Sequence, residues 1–201
     1  MKNTVELLQP NKNNVFPLDS LMGSIGQAVV ETHLRSFGYE VYPYIYEKNR
    51  SGVNDSEGRG YSGIATPKIK SMPDLRIYDR ESNENILLHI KTIFGTDETG
   101  YWINKNRFDN YKLYWPNAFL AIYFISNATI RCCKIDNIRN WTDETIPKIL
   151  EPGYHLSLSE FTDLPHCFPR IRHDRFNEIN TVIQDVFKVF GYAGKNYNIQ
   201  N

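Results

Sequence analysis

"MPDLRIYDRESNENILLHIKT", residues 72–92, is the stretch on which the reading of this chain turns. Two apolar runs, Asp74 to Asp79 and Ile86 to Phe94, flank the polar segment "RESNEN", and this pattern predicts a β-hairpin. Side chains alternate faces along a strand, so Leu87, His89, Lys91 and Ile93 share one face and Leu88, Ile90 and Thr92 the other. On the first strand, Asp74, Arg76 and Tyr78 fall on one face. Pairing through the turn sets the start of the first strand opposite the end of the second. Asp74 is thereby brought toward His89 and Lys91, and three titratable groups converge at one end of a strand pair.

Such a set suits phosphodiester hydrolysis. A carboxylate can hold a divalent cation that polarises a phosphate and acidifies a water, while an ammonium group orients that water or stabilises charge in the transition state. Hard cations want several oxygens. Glu31, in the first helix, is the candidate for a further carboxylate. Each residue also has a plainer reading. Asp74 can bond a loop at strand entry, Lys91 can snorkel from a wet sheet face, His89 can be a hydrogen-bonded core residue, and Glu31 can pair with Arg35 one helical turn on.

Working outward, Asp19 or Ser20 can cap a helix running to Phe37, with Gly38 placed to end it. Tyr39 to Tyr46 alternates as a strand. Residues 47–70, "EKNRSGVNDSEGRGYSGIATPKIK", read as a long polar loop carrying Lys48, Arg50, Arg59, Lys68 and Lys70. A basic, Gly-rich loop of this kind is suited to clamping backbone phosphates. Beyond the hairpin, a helix is expected from Lys105 to Tyr114, stopped by Pro116, then an apolar strand from Ala118 to Ile125 and another in "NATIRCCKI". A terminal amphipathic helix begins at Asp174. Just before it, "HCFPRIRHDR" sets Arg170, Arg172, His173 and Arg175 together as a second basic cluster, either helix-entry surface or phosphate contact.

The element order is helix, three strands, helix, strand. With Pro73, Asp74, His89, Ile90 and Lys91 placed on it, the chain resembles the PD-(D/E)XK nucleases over residues 20–125. The hairpin is most similar to that of the EcoRV and HincII type of restriction endonuclease. The helix "GSIGQAVVETHLRSFGYEV" resembles the opening helix of Holliday junction resolvases. The resemblance implies a restriction endonuclease-like α/β fold, a mixed sheet flanked by helices in the core order αβββαβ. It also implies a Mg2+- or Mn2+-dependent endonuclease acting on double-stranded DNA, a type II restriction enzyme working as a homodimer. Asp74, His89 and Glu31 would be the metal ligands, Lys91 would assist the attacking water, and Arg50, Arg59, Lys68, Lys70, Arg170 and Arg172 would contact DNA. Two departures stand out: His89 occupies the place of the usual acid, and Gln27 the place of the helix acid. They imply either an altered metal preference or a fold kept for nucleic-acid binding without chemistry; a junction-resolving or repair nuclease is the remaining alternative.

Composition sets the bounds. A length of 201 residues suits a single nuclease-like domain, with the core at 20–125 and a C-terminal extension at 126–201. Lysines and arginines number 23 and so do aspartates and glutamates, so phosphate contacts must come from local clusters. Cys132, Cys133 and Cys167 fit neither a disulfide framework nor a zinc or iron–sulfur site, and reduced thiols in a cytoplasmic protein are expected. No run of about 18 apolar residues and no signal-like N-terminus predicts a membrane span or export.

Overall fold

Helix α1 (Leu18–Ser36) forms where apolar spacing places it, with Met22, Val30 and Leu34 on its buried face, but it begins at Leu18, so the expected caps Asp19 and Ser20 lie within its first turn. Gly38, at φ 82°, ends it, and the amide of Tyr39 turns back to donate to the carbonyl of Leu34. The computed structural model describes residues 18–44, 65–93, 95, 97, 100–145 and 152–189.

Strand β1 (Glu40–Pro43) lies antiparallel to β2 (Leu75–Asp79), and β2 antiparallel to β3 (Glu84–Ile93). The hairpin is longer than the turn "RESNEN" implies, because Glu84 and Asn85 already pair with Asp79 and Tyr78. Asn83 takes the left-handed conformation, at φ 57°, that closes the shortened turn.

From β3 the chain runs through β4 (Tyr101–Asn104) and α3 (Lys105–Tyr114) before β5 (Phe119–Phe124) returns parallel to β3. A parallel partner requires such a crossover. Its flanking helices explain why β5 is apolar on both faces, buried from Leu120 to Phe124. Strand β6 (Thr129–Lys134) pairs back on β5 and is joined by the short β9 (Thr162–Asp163), completing a six-stranded mixed sheet in the order β1-β2-β3-β5-β6-β9. The sheet therefore runs past residue 125, and the expected boundary between core and extension falls inside a β-hairpin.

One face of the sheet packs on α1, on the short α4 (Leu164–Cys167) and on α5 (His173–Val189), with Val30, Leu34, Leu88, Tyr123, Ile130, Phe168 and Phe176 in the core. The other face packs on α3 and on a second, three-stranded sheet in the order β4-β8-β7, formed with β7 (Trp141–Thr145) and β8 (Pro152–Leu156). The fold is thus an α/β architecture with a mixed sheet between helices, as expected. The second sheet was not expected: "WTDET" and "PGYHL" lack apolar alternation and become strands only by pairing with β4 and with each other.

Residues 65–70 also depart from the expected loop. Ala65–Lys70 forms helix α2, with Pro67 in its first turn, where a missing amide costs nothing. The Gly and Ser upstream had coloured the whole segment as loop, and residues 45–64 lie outside the described residues. Cys132, Cys133 and Cys167 are free thiols, as expected, and burial pushes the Cys132 thiol up. Among the described residues no helix is long and apolar enough to cross a membrane.

Helix α1 approaches β3 closely at Gly26, where an added Cβ would collide with Oγ1 of Thr92 and stand 2.9 Å from its Cβ. Gly26→Ala is therefore expected to lower stability by about 1–3 kcal/mol, from overpacking against a strand that cannot yield. Urea midpoints would measure the loss, and Thr92→Ala in the same chain should recover part of it.

Candidate active site

Asp74 precedes β2 and is held by three hydrogen bonds. Its amide donates to the carbonyl of Leu88 at 2.9 Å, its carbonyl accepts from the amide of Tyr44 at 2.9 Å, and its Oδ2 accepts from the amide of Ile90 at 2.6 Å. The main-chain pairing of the hairpin thus continues one residue past β2. The carboxylate is fixed against β3 between His89 and Lys91, as the alternation predicts.

Lys91 sits in register with Ile122 of β5 and turns its ammonium over the ring of Tyr111, 5.9 Å from the centroid. Asp74 and Lys91 line one open cleft of about 640 Å³ with Gln27 of α1, Lys70 of α2, and Arg107 and Tyr111 of α3. Arg107 follows the helix cap, where the Asn104 side chain accepts from the Arg107 amide. Tyr111 lies one turn further on the same helical face. Its hydroxyl is pushed above the usual tyrosine range, first by burial and then by the nearby Asp74 charge, so it remains a proton donor at neutral pH. Among the described residues, Asp74 is the one acid beside three cations in this cleft. Its electrostatic character is that of an anion site.

His89 does not line the cleft. It is fully buried, its ring stacked on Tyr111 at 3.9 Å between centroids, and neither ring nitrogen has a hydrogen-bond partner among the described residues. Burial, with the Lys91 and Arg107 charges adding to it, pushes the imidazole down to about 3, so it is neutral at physiological pH. Strand alternation put His89 on the correct face; what it could not show is that α3 covers that position.

Glu31 is also elsewhere. Its Oε1 accepts from Arg35 Nε at 2.8 Å as an i, i+4 pair, and Gln27, one turn earlier, takes the place at the cleft. Among the described residues no group of three or more His, Cys, Asp or Glu side chains could hold a metal ion. The expected shell of Asp74, His89 and Glu31 is therefore not assembled among the described residues: Tyr111 roofs His89, and Glu31 is paired with Arg35 one turn along α1 from Gln27.

Of the expected DNA contacts, Lys70 lines the cleft, and Lys68 lies beside it with its ammonium over Trp115 at 5.6 Å. Arg170 is engaged with Asp79 at 2.9 Å and Glu81 at 3.4 Å and packs over Tyr39, while Arg172 pairs with Asp174 at 2.6 Å. Neither lines the cleft. Arg50 and Arg59 lie outside the described residues.

No protein-family model and no curated protein matches this chain. Among solved structures, a nuclease from a fusselovirus is similar to it at 14% identity, covering 91% of this chain and 98% of that chain, with a TM-score of 0.39.

Two cleft residues, Arg107 and Tyr111, were not singled out from sequence. Their signal was present as i, i+4 spacing on a helix joining the hairpin to its parallel partner. Nothing local told which face of that helix would look onto Asp74.

Proposed function

We propose that this chain is a divalent-metal-dependent DNA endonuclease hydrolysing phosphodiester bonds at the Asp74–Lys91 cleft. One observation supports the reading above others: a main-chain-anchored carboxylate and a lysine share an open cleft with two further cations, Lys70 and Arg107. Lys70 and Arg107 bind the backbone phosphates on either side of the scissile bond, supplying the positioning on which phosphoryl transfer depends. Lys91 faces the reacting phosphate, where its ammonium orients the attacking water and offsets the charge that develops on the phosphoryl oxygens. Tyr111 limits the swing of Lys91 and donates from its hydroxyl.

Asp74 and Gln27 are the oxygen-bearing side chains at the cleft that would hold the cation. That donor set is sparse, and it fits an ion bound largely through water and substrate phosphates. Bound there, Mg2+ or Mn2+ would polarise the phosphate and acidify a water. The altered metal preference expected from His89 as a ligand has no support in the geometry, since His89 is covered.

A second reading, a nucleic-acid-binding protein without chemistry, is favoured by the single carboxylate among the described residues at the cleft. Within the first, a restriction-type homodimer cutting linear duplex and a junction-resolving or repair nuclease use the same site, the homodimer because palindromic cutting needs two sites related by a two-fold axis. Cleavage of plasmid, linear duplex and a four-way junction, with Mg2+ and separately with Mn2+, tests the proposal, and light scattering gives the oligomeric state. Discrete products lost in both Asp74→Ala and Lys91→Ala support an endonuclease. Salt-sensitive DNA binding with no product under either metal leaves the second reading.

A further inference from the structure

Charge accounts for only part of this cleft. Beside Asp74, Lys91 and Arg107 it is lined by Tyr44, Ile69, Met72 and Pro73, an apolar wall in direct continuity with the cations. Ile69 is 38% exposed, and Tyr44 is half-buried, its ring meeting Trp115 edge to face at 6.1 Å. Tyr44 is placed by one of the contacts that hold the acid, its amide donating to the Asp74 carbonyl, and Met72 by its amide donating to the carbonyl of Ile69. The cleft, at about 640 Å³, falls within the range of sites that enclose small ligands, about 300–1,000 Å³.

A continuous duplex presents phosphates outward and keeps its base faces stacked inside, so it would satisfy the cations and leave the apolar wall without a partner. An unpaired nucleotide presents a phosphate and a base face together. Aromatic and apolar walls beside cations are the usual means of holding such nucleotides, because every base has a π-face.

We propose that the cleft receives one unpaired DNA nucleotide, its phosphate toward Lys70, Lys91 and Arg107 and its base against Tyr44, Ile69 and Met72. The preferred substrate then carries unpaired nucleotides at the cut, as in a flap or a gap. This assignment rests on the DNA-hydrolysis reading and names its substrate class.

The test is equilibrium binding of the full chain in EDTA, by fluorescence anisotropy. The probes are a labelled blunt duplex and the same duplex carrying a single-stranded flap, with dAMP as competitor. Stacking of one base predicts a preference for the flap of about fivefold to a hundredfold. Tyr44→Ala and, separately, Met72→Ala should reduce that preference toward unity while duplex affinity stays within about twofold, and Tyr44→Phe should restore it. Urea midpoints of the variants identify any that fail to fold, and Met72→Ala carries the test if Tyr44→Ala does. Equal affinity for flap and duplex overturns the proposal, as does a preference that survives in both variants. Displacement of the flap by dAMP at concentrations matching the oligonucleotide also overturns it, since the site would then be one for a free nucleotide. Binding of duplex and flap without preference would sink this proposal alone, whereas no DNA binding at all would remove the endonuclease reading with it.

Discussion

Asp74→Asn is expected to lower DNA cleavage by at least about 100-fold to 1,000-fold while leaving DNA binding unchanged or tighter. The substitution keeps the shape of the side chain and an oxygen that can accept from the Ile90 amide, so the hairpin anchor persists. Only the charge is lost. Among the described residues that charge is the sole negative one at the cleft, opposed by Lys70, Lys91 and Arg107, and its removal makes the cleft more attractive to phosphate. Lys91→Ala should instead weaken both binding and cleavage, because it removes a phosphate-facing cation. Single-turnover cleavage and anisotropy on the same oligonucleotides give the two signs. Cleavage by Asp74→Asn at the wild-type rate would remove the carboxylate from the mechanism. A purely structural Asp74 would show itself as a fall in urea midpoint for Asn as well as Ala.

His89 should govern acid stability. Its imidazole titrates near 6.5 in the unfolded chain and is pushed down to about 3 by burial in the folded one, so between those values only the unfolded state takes up the proton. Stability is therefore retained above about pH 6.5 and falls as the pH drops toward 3, with no further loss from this group below that. At 1.36 kcal/mol for each pH unit, the loss from pH 7 to pH 4 is about 3 kcal/mol. His33, whose imidazole is also lowered by burial, adds a loss of the same sign. His89→Leu removes the His89 part and deletes two ring nitrogens that have no partner, so its stability should be flatter with pH and no lower at pH 7. His89→Asp should cost about 3 kcal/mol or more at pH 7, since a carboxylate under the Tyr111 ring would be buried and unpaired. Urea titrations from pH 4 to pH 8 on the three chains decide the matter. A His89→Asp chain that stays stable and cuts faster with Mg2+ would mean that this position opens onto the cleft after all.

The way His89 was read shows where sequence reasoning stops. Its face on β3 follows from a period of two, and so does its neighbourhood with Asp74 and Lys91. Whether that face is wet depends on α3, a helix of mostly polar sequence that nonetheless buries Phe108 and Tyr111 against the sheet. Glu31 and Gln27 raise the same point on α1. Both lie on one helical face, and the tight contact of Gly26 with Thr92 fixes the helix so that the neutral residue reaches the cleft and the acid does not.

By itself the sequence determined the local structure of this protein: the hairpin of residues 72–92, the helix stopped at Gly38, the buried strand at residues 119–124, and the convergence of Asp74 with Lys91. These follow from short-range periodicity, capping and turn chemistry, which act over a few residues. The tertiary structure alone decided that "WTDET" and "PGYHL" pair as strands, that α3 roofs His89 while lending Arg107 and Tyr111 to the cleft, and that Arg170 is held by Asp79 and Glu81. The reason is physical: burial and electrostatic environment belong to pairs of elements distant in the chain, and no window of sequence contains both partners.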